Sequence, residues 1–191
     1  MNSFQSPVAK ILLPIMLGAC GHTNPNEFRV SEKIGETIDK LTVTPHMSDL
    51  PILIGTGGRQ ARAFKLLAET AGRKLGKKTE IYLEESYDGQ RKEYSQKQRK
   101  EFDMDEFMRL LSGLAGACFK TIPVIDINHL DGRLFVVYDL GRNPDDDHLN
   151  IVTAMNDIFY PWGIRHNERI TIKPKGQDHH AGHARYSVGA R

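Results

Sequence analysis

Residues 133–173 constrain the fold more than any other stretch of this chain. They read RLFVVYDL, GRNPDDDH, LNIVTAMNDIFYPWGI and RHNERITIK in succession. Leu134, Phe135, Val136, Val137 and Tyr138 form an almost unbroken apolar, β-favouring run, the pattern of a strand covered on both faces. Asp131-Gly132 separates it from the apolar run at 122–127, and Asp-Gly between two such runs predicts a hairpin. Pro144 and the carboxylates of Asp145, Asp146 and Asp147 mark a helix start, where acidic groups cap free N–H groups and suit the positive end of the dipole. Leu149, Val152, Met155 and Phe159 follow at helical spacing, and Ile151 and Ile158 widen the apolar face. Pro161 and Gly163 are read as the stop. Ile170 and Ile172 alternate with polar neighbours as a returning strand, and 185–188 reads as one more.

Upstream, residues 31–41 carry a helical pattern in Ile34, Ile38 and Leu41, with Ser31 as a cap. Residues 50–54 read as a strand closed by Gly55-Thr56-Gly57-Gly58, and 79–83 as another. Between them lies a helix with Phe64, Leu67, Ala68, Ala71 and Leu75 on one face, ended at Gly76. This is a β-α-β unit that favours a parallel pair. Asp103 with Glu106 opens a further helix through a capping box, with Phe107, Leu110, Leu111, Leu114 and Cys118 as its inner stripe. The reading is therefore α/β in the mixed, α+β sense: a sheet of 5–6 strands with 3–4 helices, in one composite domain. Residues 1–30 are an arm or leader. Residues 31–191 are the domain, with a basic β-α-β part at 31–118 and an acidic ββαββ part at 119–191. No internal repeat is visible between the halves.

Charge is laid out unevenly. The net charge is +2, yet residues 59–100 hold 12 Lys and Arg against 6 Asp and Glu, whereas 101–170 hold 6 against 12. Opposite halves attract neighbouring copies, and a basic stretch such as 59–100 attracts nucleic acid. No apolar run is long enough to span a bilayer as a helix. The two cysteines, Cys20 and Cys118, show no CxxC spacing, so neither a disulfide scaffold nor a metal framework follows. No motif implies a cofactor.

The N-terminus supports two expectations. Lys10, the apolar run after it and Leu17-Gly18-Ala19-Cys20 resemble a bacterial lipoprotein signal, with Gly21 onward as a tether. That resemblance implies cleavage before Cys20, lipidation of its thiol and an envelope location. The alternative is a retained apolar arm docked on its own core or on a neighbour, in a virion or cytoplasmic protein.

Four sets of residues are candidates for chemistry or contact. Gly57, Gly58 and Arg59, at a helix start, suit an anion. His179, His180 and His183 suit a shared metal ion. Phe159, Tyr160 and Trp162 suit an interface anchor. Asp147, Asp157 and Glu168 belong to an acidic set able to hold Mg²⁺ for phosphodiester hydrolysis. The order of strand, acidic motif, helix and strand over the last sixty or so residues resembles RusA-type Holliday-junction resolvases. With their motif asparagine on Asn150, the resemblance puts catalytic carboxylates at Asp147, Asp157 and Glu168, while Leu149 replaces the second aspartate and Thr153 the helical lysine. The same segment is similar to tail-completion and terminator proteins of bacteriophages: a long strand, a proline-and-acid turn, a helix ending in Tyr-Pro and a closing hairpin. The expectation placed first is a non-catalytic assembly subunit that forms a homo-oligomer or joins other subunits. An envelope lipoprotein and a Mg²⁺-dependent nuclease are the alternatives.

Overall fold

A computed structural model describes residues 4–22, 24–85, 101–130, 132–141 and 144–176. Its order is α1 (Pro7–Ala19), β1 (Arg29–Lys33), β2 (Ile38–Thr44), the one-turn α2 (Leu50–Ile54), α3 (Arg59–Lys74), β3 (Lys78–Leu83), α4 (Met104–Cys118), β4 (Val124–Leu130), β5 (Arg133–Asp139), α5 (Asp146–Arg165) and β6 (Arg169–Pro174). The mixed α/β class read from the sequence is present. The six strands, however, form two sheets of three, ordered β1-β2-β3 and β4-β5-β6.

The two sheets are built alike. In each, the first two strands form an antiparallel hairpin and the third runs parallel to the second, reached through a long helix. In each, a helix precedes the hairpin, and both of those helices end in the same triplet, Gly18-Ala19-Cys20 and Gly116-Ala117-Cys118. The chain is thus two successive αββαβ units. The helix-to-strand corners repeat bond for bond: Lys77 N donates to Gly72 O at 3.0 Å and Glu168 N to Gly163 O at 2.9 Å. Gly76 (φ 77°) and Asn167 (φ 58°) occupy the left-handed position of each corner. A Cβ on Gly72 or Gly163 would lie 2.8 Å from the carbonyl five residues on, so both helices start their return at a glycine. Residue identity hides this repeat because only topology, register and corner geometry are shared.

Helices from the two units interlock. α3 packs on α5, α1 on α5 and α4, and α4 on α3, giving one continuous core that both sheets flank. α1 is capped by the Ser6 hydroxyl and has Val8, Leu12, Ile15 and Met16 buried. It approaches α5 at Gly18, where any Cβ would fall inside the Trp162 indole. Trp162, Phe107, Phe159 and Phe102 form an aromatic cluster there, with His166 stacked on Trp162 at 3.8 Å.

Four expectations are corrected. Residues 31–41 are not helical; Leu41 and Val43 are buried while Ile34 and Ile38 are exposed, so alternation governs and Gly35 lies between two strands. Residues 50–54 form a helical turn, begun by Pro51 and ended by Gly55 at φ 70°; the parallel partner of β3 is therefore β2. α5 runs through Pro161 to Arg165. A proline removes one helical hydrogen bond, which the buried Phe159 and Trp162 on either side outweigh. Finally, β5 is packed on one face only: Leu134, Val136 and Tyr138 are buried, and Phe135 and Val137 lie half-buried on the other side. The expected strand at 185–188 lies outside the described residues. The capping of α4 is as read, with Asp103 Oδ1 accepting from the Asp105 and Glu106 amides at 2.9 and 3.1 Å.

Candidate functional site

Two concave regions carry polar chemistry. The first, a cleft of about 380 Å³, opens where α3, α4 and α5 meet. Arg73 and Lys74 line one wall, and Asp145, Asp147 and His148 at the start of α5 line the other. Their roles there are largely structural. Asp145 Oδ1 accepts from the His148 amide at 2.8 Å and lies 3.0 Å from its Nδ1. Lys74 Nζ donates to the carbonyls of Gly116 and, at 2.9 Å, Phe119, tying the end of α4 to α3. Cys118 faces this cleft, but burial pushes its thiol up to about 12, so it is protonated at neutral pH and a poor nucleophile. Behind it, burial also raises the Tyr138 phenol, whose hydroxyl has no partner among the described residues.

The second region is a groove of about 520 Å³ at the other end of α5, lined by Arg133, Arg169, Thr171, Tyr160 and Ile164. It continues onto the outer face of the second sheet. Register puts Leu130, Arg133 and Arg169 in one row across that face, Asn128, Phe135 and Thr171 in the next, and Asp126, Val137 and Lys173 in the third. Lys173 Nζ sits 5.8 Å above the Phe135 ring. Two nearby carboxylates are engaged, Asp139 by Lys175 at 2.7 Å, which lowers its pKa, and Glu168 by His129 at 3.3 Å; Asp126 stands in the row of Lys173.

The sequence-derived candidates scatter over this geometry. Asp147 lines the first cleft. Asp157 is buried ten residues further along α5, a rise of about 15 Å. Glu168 lies past the helix end in the second groove. Among the described residues no three His, Cys, Asp or Glu side chains are grouped so as to hold a metal ion. Gly57 (φ 62°) and Gly58 (φ 75°) form the left-handed turn into α3 at Arg59, and no side chain caps that helix. His179, His180 and His183 lie outside the described residues, as does the 86–100 part of the basic stretch. Cys20 is wholly buried at the end of α1, its thiol 3.9 Å from Asp49 O. Of the aromatic trio, Phe159 and Trp162 belong to the interior, and only Tyr160, 52% exposed, presents a ring to the surface. Among the described residues no helix is long and apolar enough to cross a membrane.

The outer face of the second sheet was not legible in the sequence. Arg133 and Arg169 are thirty-six residues apart and meet only through the parallel register. Phe135 reads as core because its neighbours on the strand are core. No known protein-family model matches the chain, and no curated protein matches it significantly.

Proposed function

We propose that this chain is a non-catalytic structural or assembly subunit, of the kind that builds a connector or terminator ring from copies of itself or joins other subunits of a virion-like complex. The observation that carries the reading is the β4 edge. β4 pairs only with β5, so one side of a seven-residue strand carries no strand partner among the described residues. Val124 and Leu130, at its two ends, are 66% and 60% exposed, and Ile122 just before it is 55% exposed. Proteins that stay monomeric usually blunt such an edge with charge, proline or a bulge. The corresponding edge strand of the first sheet, β1, carries Arg29 and Lys33 at its ends instead. An edge that is apolar at both ends, with Asp126 as its one carboxylate, favours addition of a strand from a neighbour, and the opposed charge balances of 59–100 and 101–170 suit head-to-tail packing of copies.

Light scattering coupled to size exclusion, over a range of concentrations, tests this. The expected result is a species above the 21.6 kDa chain mass that is lost in the double variant Val124→Lys, Leu130→Lys. Both positions are on the surface, so the variant keeps the fold. A wild-type monomer at every concentration, with no co-purifying subunit, removes the proposal.

A further inference from the structure

We propose that the outer face of the second sheet is a binding platform for single-stranded nucleic acid, centred on Phe135 and the Arg133–Arg169 pair. The proposal is independent of the assembly reading, which rests on the β4 edge.

Arg133 and Arg169 are directly opposed on neighbouring strands, and like charges in that relation destabilise a sheet. Among the described residues neither forms a salt bridge, and the third member of their row is Leu130. The first sheet shows the contrast. Its equivalent row pairs Ile38 with Lys78, a single cation, and Glu80 accepts from that Lys78 at 2.6 Å and from the Tyr82 hydroxyl at 2.6 Å. One row further on, Lys33 opposes Lys40, and Glu80 sits beside Lys40. The first sheet thus holds its counter-anion in an ion pair; in the second, Glu168 shares the groove and Asp126 the outer face, but neither forms an ion pair with Arg133 or Arg169.

The surroundings specify more than a lone anion. The row beside the arginines places the half-buried Phe135 ring on the central strand, between Asn128 and Thr171. The next row brings Lys173, whose ammonium lies over that ring. Cations on both sides of an aromatic ring, with amide and hydroxyl groups in line, match a polymer that alternates phosphates with flat bases. The groove extends this path past Arg169 to Tyr160, a second exposed ring. A duplex hides its base faces, so the single-stranded form is the occupant that uses Phe135.

Fluorescence anisotropy of short fluorescein-labelled oligo(dT) and oligo(U), at about 50 mM and about 200 mM salt, reads this directly. The full-length protein is expected to bind, with affinity falling as salt rises. Arg133→Ala with Arg169→Ala should lower the salt slope by about one unit or more. Phe135→Ala should weaken binding about tenfold, and Phe135→Tyr, which keeps the ring, should restore it. Lys33→Ala with Lys40→Ala, on the first sheet, should leave affinity unchanged. Thermal melts establish that each variant is folded. Three results overturn the proposal: no oligonucleotide binding at the lower salt; binding lost in the Lys33, Lys40 variant but kept in the arginine variant; or competition by tripolyphosphate as effective as by oligonucleotide together with no effect of Phe135→Ala, which would make this a simple polyphosphate site. Loss of self-association in Phe135→Ala without any oligonucleotide binding would assign the face to a protein contact and overturn it equally.

Discussion

The first αββαβ unit and the second share strand order, register and corner bonds, yet fill equivalent positions with different chemistry. Where β2 turns Asp39, Leu41 and Val43 inward, β5 turns Leu134, Val136 and Tyr138 inward. Thr79 of β3 is matched by Ile170 of β6. The first unit therefore buries a carboxylate, Asp39, and gives it partners: the Gly35 amide at 3.2 Å and Lys77 Nζ at 3.4 Å. The second unit is apolar at those positions but carries a buried phenol hydroxyl with no partner among the described residues. Outside, the assignment reverses, with self-neutralised charge on the first sheet and, on the second, an arginine pair that forms no salt bridge among the described residues. Topology is thus carried by alternation, glycine corners and register, and it tolerates exchange of polar for apolar groups wherever a partner is supplied.

Substitution at paired positions tests that comparison. The largest effect is expected at the twin Gly-Ala-Cys triplets. Gly18→Val drives a side chain into the Trp162 indole and should cost about 1–3 kcal/mol or more. Gly116 has only Ile122 nearby, 3.8 Å from an added Cβ, so Gly116→Ala should be neutral or stabilising by up to about 1 kcal/mol. Urea titrations of the two variants measure the difference; equal losses would mean that the two triplets are packed alike.

The next effect concerns interior polarity. Tyr138→Phe removes a hydroxyl that has no protein partner and should leave stability unchanged or raise it by about 1 kcal/mol. The reciprocal change, Val43→Thr, puts a hydroxyl at the equivalent position and should cost about 1–3 kcal/mol. A drop in melting temperature for Tyr138→Phe would reveal a water or other partner on that hydroxyl.

The smallest effect is electrostatic and depends on pH. Hydrogen bonds from Lys78, and then from Tyr82, hold the half-buried Glu80 carboxyl at about 2, below the usual 4.5. Its folded-state value is depressed, so its contribution is complete above the usual value and fades as pH falls from about 4.5 to about 2. The melting-temperature gap between wild type and Glu80→Gln should accordingly narrow over that interval. A gap constant from neutral pH to the acid limit would contradict the ion-pair account.

Legibility varied along the chain for physical reasons. The second unit was read almost whole, because Asp-Gly, the aspartate-led helix start and the alternation of Ile170 and Ile172 are local signals. The first unit was misread at 31–41 and 50–54. Short segments there carry both periodicities, and burial of Leu41 and Val43, which a linear pattern does not contain, decides between them. Of the candidate site residues, Tyr160 and Glu168 line the groove at the end of α5 and Asp147 the other cleft. Phe135, Arg133 and Arg169 became a site only once two strands were laid side by side.

By itself the sequence determined the mixed α/β class, the capped helices at Asp103 and Asp145, and which faces of the long helices are apolar. These follow from interactions spanning four residues or fewer. The tertiary structure decided that the chain is two units of one topology, that the apolar N-terminal run is core helix α1, and that Pro161 is absorbed within α5. It also decided which charges become neighbours. Those outcomes depend on strand register and helix-to-helix packing between residues far apart in the chain, and their energies come from burial and Coulomb terms that exist only after the segments have met.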